Sequence, residues 1–251
     1  MADAREVKEA PLRIFRTFYS TCLHLEGSAK VVSFPKTAFA LGHVTCSLDE
    51  DETRWILRKN IAKGHGNLHA LLLVLAKLSE TYLERRVTRS SGGKPDLEIT
   101  IYANWSPCAS KPNKDAEHIM HFVKEAEKKY DVSLEIVFAG LYNIMRPSCY
   151  YSPGEQNCRP CQHGPLTSLK PHTHKENADG LRLLHRHGVN VRTFKPGDWH
   201  VLTDYLVLER GAKKADIQEV VRQDGELRRV EDRYMADDLE YILHVEQPLK
   251  C

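Results

Sequence analysis

Two side chains that bind soft divalent metals stand where helices begin. His69 opens an apolar stretch at residues 68–83, and Cys108 closes Trp105-Ser106-Pro107-Cys108, a turn between a strand and a helix. A histidine on one helix start and a cysteine on another can share one metal ion. A second group of the same chemistry crowds one loop: Cys149, Cys158, Cys161, His163, His172 and His174. Cys158-Arg159-Pro160-Cys161 is a Cys-x-x-Cys knuckle, and with His172 and His174 it offers four ligands to a tetrahedral zinc. Residues 143–178 read as a long irregular insert without an apolar core, so a metal would supply its stability. The alternative is a His-rich surface loop.

The elements that must carry these residues follow from periodicity. Leu97, Ile99 and Ile101 alternate and predict a strand over 97–103. Helical spacing resumes near Lys114 and runs to Tyr130, with Ile119, Phe122, Val123 and Ala126 inward. Upstream, Leu71, Leu72, Leu75, Leu78 and Leu83 predict the helix over 68–83. Residues 36–48 and 54–57 predict a hairpin around the acidic turn 49–52, and 59–67 a loop. Further strands are expected at 133–139 and 189–194. Further helices are expected at 11–24, 178–187 (ended by Gly188), 199–209 and, as one or two helices, 213–245. Helix, hairpin, then helix and strand in alternation describe a sheet with helices packed on it: one α/β layered domain over 11–245, with an arm at 1–10 and a tail at 246–251.

Composition limits the partners. The chain has 251 residues, with 36 Lys and Arg against 34 Asp and Glu, so bulk charge does not announce a nucleic-acid partner. The basic clusters Arg85, Arg86, Arg89, Lys94, then Lys124, Lys128, Lys129, and Arg182, Arg186, Arg192 read as solvated faces. His65, His118 and His121 read likewise as polar surface. Residues 1–10 are charged and lack the apolar core of a signal peptide, and no apolar run reaches membrane-spanning length. The seven cysteines are therefore expected to be reduced thiols in a soluble intracellular protein of the cytoplasm or nucleus.

Several of these features occur together in one group of enzymes. Trp105-Ser106-Pro107-Cys108 follows a strand and His69 opens the preceding helix. Ala139-Gly140-Leu141-Tyr142 ends the next strand, and Gly180-Leu181-Arg182-Leu183-Leu184-His185-Arg186-His187-Gly188-Val189 precedes Trp199 and Tyr205. Over roughly 11–245 the chain resembles the AID/APOBEC zinc-dependent polynucleotide cytidine deaminases. The resemblance implies a cytidine-deaminase-like fold, a mixed five-stranded sheet with helices on both faces. It implies zinc held by His69 and Cys108, Trp105 flooring the base pocket, Tyr142 stacking on the target base, and Asn60 near the sugar. Its substrate would be cytosine in single-stranded DNA or RNA.

Two parts of that chemistry are altered. In these enzymes a histidine and two cysteines hold zinc, and a glutamate that is not a ligand moves the proton. The glutamate is expected two residues after the histidine, where Leu71 stands. The second cysteine is expected three after the first, where Lys111 stands; its fixed positive charge repels zinc. If residues 110–113 are an insert, Asp115 falls at the second cysteine's place, and aspartate can ligate zinc. The leading expectation is a pseudoenzyme, inactive or nearly so, that keeps the deaminase fold for binding nucleic acid or a protein. The alternatives are an active deaminase with a replacement acid such as Glu117, and a structural or protein-interaction domain.

Overall fold

The structure is a computed structural model that describes residues 7–23, 37–49, 53–63, 66–85, 93–110, 114–144, 146 and 171–245. Its centre is a five-stranded sheet of β1 (Phe39–Cys46), β2 (Arg54–Lys59), β5 (Asp96–Ala103), β6 (Asp131–Phe138) and β7 (Asn190–Thr193), in the order β2-β1-β5-β6-β7. The expected hairpin is present: β1 pairs antiparallel with β2, and antiparallel again with β5. From β5 onward the pairing is parallel, β5 to β6 and β6 to β7. A parallel neighbour needs a crossover. The first is α3 (Asp115–Glu127), and the second contains α4 (Pro171–Arg186). The mixed α/β sheet expected from the sequence is therefore observed.

Side-chain alternation sorts the sheet into two faces. Leu97, Ile99 and Ile101 of β5 and Leu134, Ile136 and Phe138 of β6 point to one core, shared with α2 (Ala70–Leu78), α3 and α4. Tyr102 and Val137 point to the other, shared with α1 (Pro11–Tyr19) and α5 (Pro196–Leu208). The last helix, α6 (Lys214–His244), serves both: Ile217 and Val220 join the second core, Met235, Leu239 and Ile242 the first. Between those ends its buried side chains are polar. Arg146 donates to Glu231 and, at 2.6 Å, to Asp238. Arg228 donates to the carbonyl of Thr21 and pairs with Asp232.

Several boundaries differ from expectation. Residues 59–67 are not simply a loop: Ile61–Lys63 (β3) and Gly66–Leu68 (β4) form a small separate hairpin. Leu68 thus belongs to a strand, and the apolar helix starts at Ala70 with His69 as its N-cap. Its end, Ser79–Leu83, winds as a π-helix. α1 stops at Tyr19, short of residue 24. α4 starts at Pro171 rather than 178, so the end of the expected irregular insert is helical. Proline supplies the first helical position both there and in α5, where the missing N–H is no loss. Residues 213–245 hold a single helix of 31 residues. Among the described residues no helix is long and apolar enough to cross a membrane.

Candidate metal centre and its cavity

Three elements bring the site together. His69 caps the N-terminus of α2 in extended conformation. Cys108 follows β5 by five residues, and Asp115 opens α3. The chain between Cys108 and Asp115 closes on itself. The Cys108 N–H donates to Asp115 Oδ2 at 3.1 Å, and the Cys108 carbonyl accepts from Ala116 N–H at 3.0 Å. Lys114, just before the helix, takes the left-handed conformation at φ 48°, which turns the chain into α3. Two helix N-termini therefore point at one place, and their partial positive charge favours anionic ligands there.

The donors themselves sit close. His69 Nδ1 lies 2.8 and 3.0 Å from the Asp115 carboxylate oxygens and 3.6 Å from Cys108 Sγ. One ligand atom from each of the three lies within 4.8 Å of the others. Ligands at about 2.0 Å (N, O) and 2.3 Å (S) around a tetrahedral zinc stand roughly 3.3–3.6 Å apart. The nitrogen, sulfur and oxygen set fits a metal ion, with two of the donors anionic once the thiol is ionised. Burial, with the Asp115 charge adding to it, pushes the Cys108 thiol up to about 12. A divalent cation reverses that balance, because the thiolate is its ligand.

Asp115 thus reaches the histidine as the shifted alignment expected, and the short loop spacing is not needed to bring it there. Lys111 lies outside the described residues. Among the described residues His69, Cys108 and Asp115 are the one such group. For the second candidate centre, Cys149, Cys158, Cys161 and His163 lie outside the described residues. His172 and His174 lie in the first turn of α4. Two positions apart on a helix are about 200° apart around its axis, so these side chains leave the helix on nearly opposite sides. Burial lowers the pKa of His174, with Arg182 acting in the same direction.

A cavity of about 450 Å³ opens beside the three donors and is lined by Asn60, His69, Leu71, Asn104, Trp105 and Tyr142, with Asp115 at its wall. All three residues assigned to a base site by resemblance are therefore on it. Trp105 and Tyr142 meet edge to face with ring centroids 6.1 Å apart, and Tyr142 stands 6.1 Å from the His69 ring. Burial raises the Tyr142 pKa, with Cys108 next in effect, so the wall is a neutral phenol. Asn60 uses its Oδ1 to accept from Ala38 N–H at 2.9 Å, and Asn104 accepts from Phe39 N–H at 2.8 Å. Both asparagines thereby pin the start of β1 at the cavity's edge.

Leu71 is 5% exposed, and its side chain is cavity wall at the position expected to hold a carboxylate. Glu117 is exposed, pairs with Lys114 and is not part of the lining.

Several contacts that shape the site carry no mark in the sequence. Ser106 N–H donates to the Gly140 carbonyl at 2.8 Å, and Ser106 Oγ accepts from Tyr142 N–H at 2.9 Å. A Cβ on Gly140 would come within 2.8 Å of the Trp105 ring. Buried Asn177 of α4 bonds to the backbone of both the Cys108 turn and Tyr142. The sequence places it in the irregular stretch before the helix expected from residue 178, and nothing in the spacing singles it out. Compared with known families and curated proteins, the chain matches no family model and no curated sequence.

Proposed function

We propose that this chain is a divergent relative of the AID/APOBEC cytidine deaminases, with the cytidine-deaminase-like fold. In this reading it holds zinc on His69, Cys108 and Asp115 and takes an unstacked base of a single-stranded nucleic acid between Trp105 and Tyr142. It does not turn that base over. The carrying observation is Leu71, a hydrocarbon wall two residues past the histidine, where hydrolytic deamination requires a group that carries a proton.

Zinc bound at these residues would supply Lewis acidity. The rest falls to the chain itself. Among the described residues Asp115 is the lone carboxylate of the lining, and it is committed to His69 and to the Cys108 N–H. It serves as ligand, which leaves the proton without a carrier among the described residues of the lining. Loss of a general acid–base group commonly costs about 10²–10⁴ in rate. What remains is recognition: aromatic walls on which a base can stack, typically worth ~1–3 kcal/mol per base.

The test uses the purified full chain. One zinc per chain is expected, lost in His69→Ala, with no uracil formed from cytosine in single-stranded DNA or RNA. Single-strand binding that weakens with salt and with Trp105→Ala completes the reading. Uracil formation that His69→Ala abolishes would overturn it, and so would a chain that carries no zinc.

A further inference from the structure

We infer that Asn177 is the positioning residue of the metal site, the side chain that sets Cys108 for its ion and the Tyr142 wall for the base. The inference rests on the metal reading above and adds to it a residue from outside the ligand set. Asn177 is fully buried on α4, 67–68 positions away in sequence from the turn it holds. Its Oδ1 accepts from Ala109 N–H at 2.8 Å and from Ser110 N–H at 3.1 Å. Its Nδ2 donates to the Tyr142 carbonyl at 3.2 Å. One amide therefore satisfies three backbone groups on two loops, the turn after Cys108 and the segment that carries Tyr142.

The directions matter. The two N–H groups belong to the residues directly after Cys108, so the acceptor fixes the backbone from which the thiol projects. The donor fixes the carbonyl of Tyr142, a residue of the cavity wall. The helix is brought close enough for this by Gly180, one turn on: a Cβ there would overlap that of Ala109. A short side chain with an acceptor and a donor at one branch point is required. Leucine has the size without the polarity, and glutamine is one methylene too long for a site this closely packed.

Residues that orient metal ligands indirectly typically change metal affinity by 10–100-fold when replaced. The experiment is a titration of the metal-stripped full chain with Co²⁺, read by the thiolate-to-cobalt charge-transfer band, which Cys108→Ser should remove. Asn177→Ala is expected to weaken Co²⁺ binding by roughly ten-fold or more and to change the band's shape. Asn177→Asp keeps the acceptor for Ala109 and Ser110 but loses the donor to the Tyr142 carbonyl, and is expected to bind Co²⁺ more tightly than Asn177→Ala and less tightly than the unaltered chain. Leu184→Ala, a buried change farther along α4, should lower thermal stability in chelator without moving Co²⁺ affinity. This separates positioning from a general loss of packing.

Co²⁺ affinity in Asn177→Ala equal to that of the unaltered chain would overturn the role of Asn177 alone. So would a loss shared equally by Leu184→Ala. Absence of the band in the unaltered chain would overturn the metal reading itself, and this inference with it.

Discussion

Under the function proposed above, Leu71 and Asp115 both depart from the residue types that zinc-dependent deamination uses, and they depart in different ways. Aspartate still offers an anionic donor, and the loop before it closes so that its oxygens reach His69 at 2.8 Å. Leucine offers nothing that titrates. Replacing it is therefore the sharpest test of what the pocket lacks. In Leu71→Glu a carboxylate enters the cavity wall two residues past the histidine. Uracil formation in a single strand is expected to rise roughly 10²-fold or more above the unaltered chain. A zinc-loaded Leu71→Glu protein that makes no more uracil than its parent would show that more than this one group is missing.

Among the elements, α4 has the least replaceable place. It packs against α3 and the Cys108 turn through Asn177, Gly180 and Leu181, a stripe at helical spacing. Gly180 serves here by its missing side chain, since the Cβ of Ala109 occupies the space a substituent needs. Gly180→Ala should push the helix from the turn and destabilise the protein by about 1–3 kcal/mol, read as a lower urea midpoint. Metal affinity should fall along with it. An alanine variant of full stability would mean that α4 can shift without strain. The helix starts add their own contribution. Asp115 in the first turn of α3 complements the helix dipole, an effect typically of 0.3–1 kcal/mol, whether or not the carboxylate also meets a metal.

For the molecule as a whole, the two faces of the sheet carry separate apolar clusters, joined at one side by α6. Burial inside and beside them leaves several acidic protons hard to remove. The Tyr19, Tyr82 and Tyr102 phenols rise from 10.0, and the Cys22 thiol from 9.0, each to about 12, with burial the leading cause. The unfolded chain loses these protons first, so the folded state binds more of them across that interval. Their contribution to stability is whole below about pH 9 and is lost as pH rises through about 12. The urea midpoint of the metal-free protein is expected to be nearly flat from pH 7 to 9 and to fall steeply above it, with tyrosinate absorbance rising on unfolding. Ionisation of Tyr19, Tyr82 and Tyr102 near pH 10 in the folded protein would contradict this.

The alternation Leu97, Ile99, Ile101 and the apolar run after His69 were enough to place β5 and α2, because both patterns report a locally buried face. The absence of a carboxylate at residue 71 was equally plain, being a matter of residue identity. Less local features were not legible. The β3–β4 hairpin lies in a stretch of glycine, lysine and histidine without alternation, and the first turns of α4 are polar.

The amino-acid sequence by itself determined the α/β layering, the helix start that carries His69, the turn after a strand that carries Cys108, and the leucine at residue 71. The tertiary structure alone decided that Asp115 meets His69 across 46 positions, and that Asn177 ties the Cys108 turn to Tyr142. Periodicity records which side of a segment avoids water. Which distant side chains then meet depends on how whole elements dock, and no single segment contains that information.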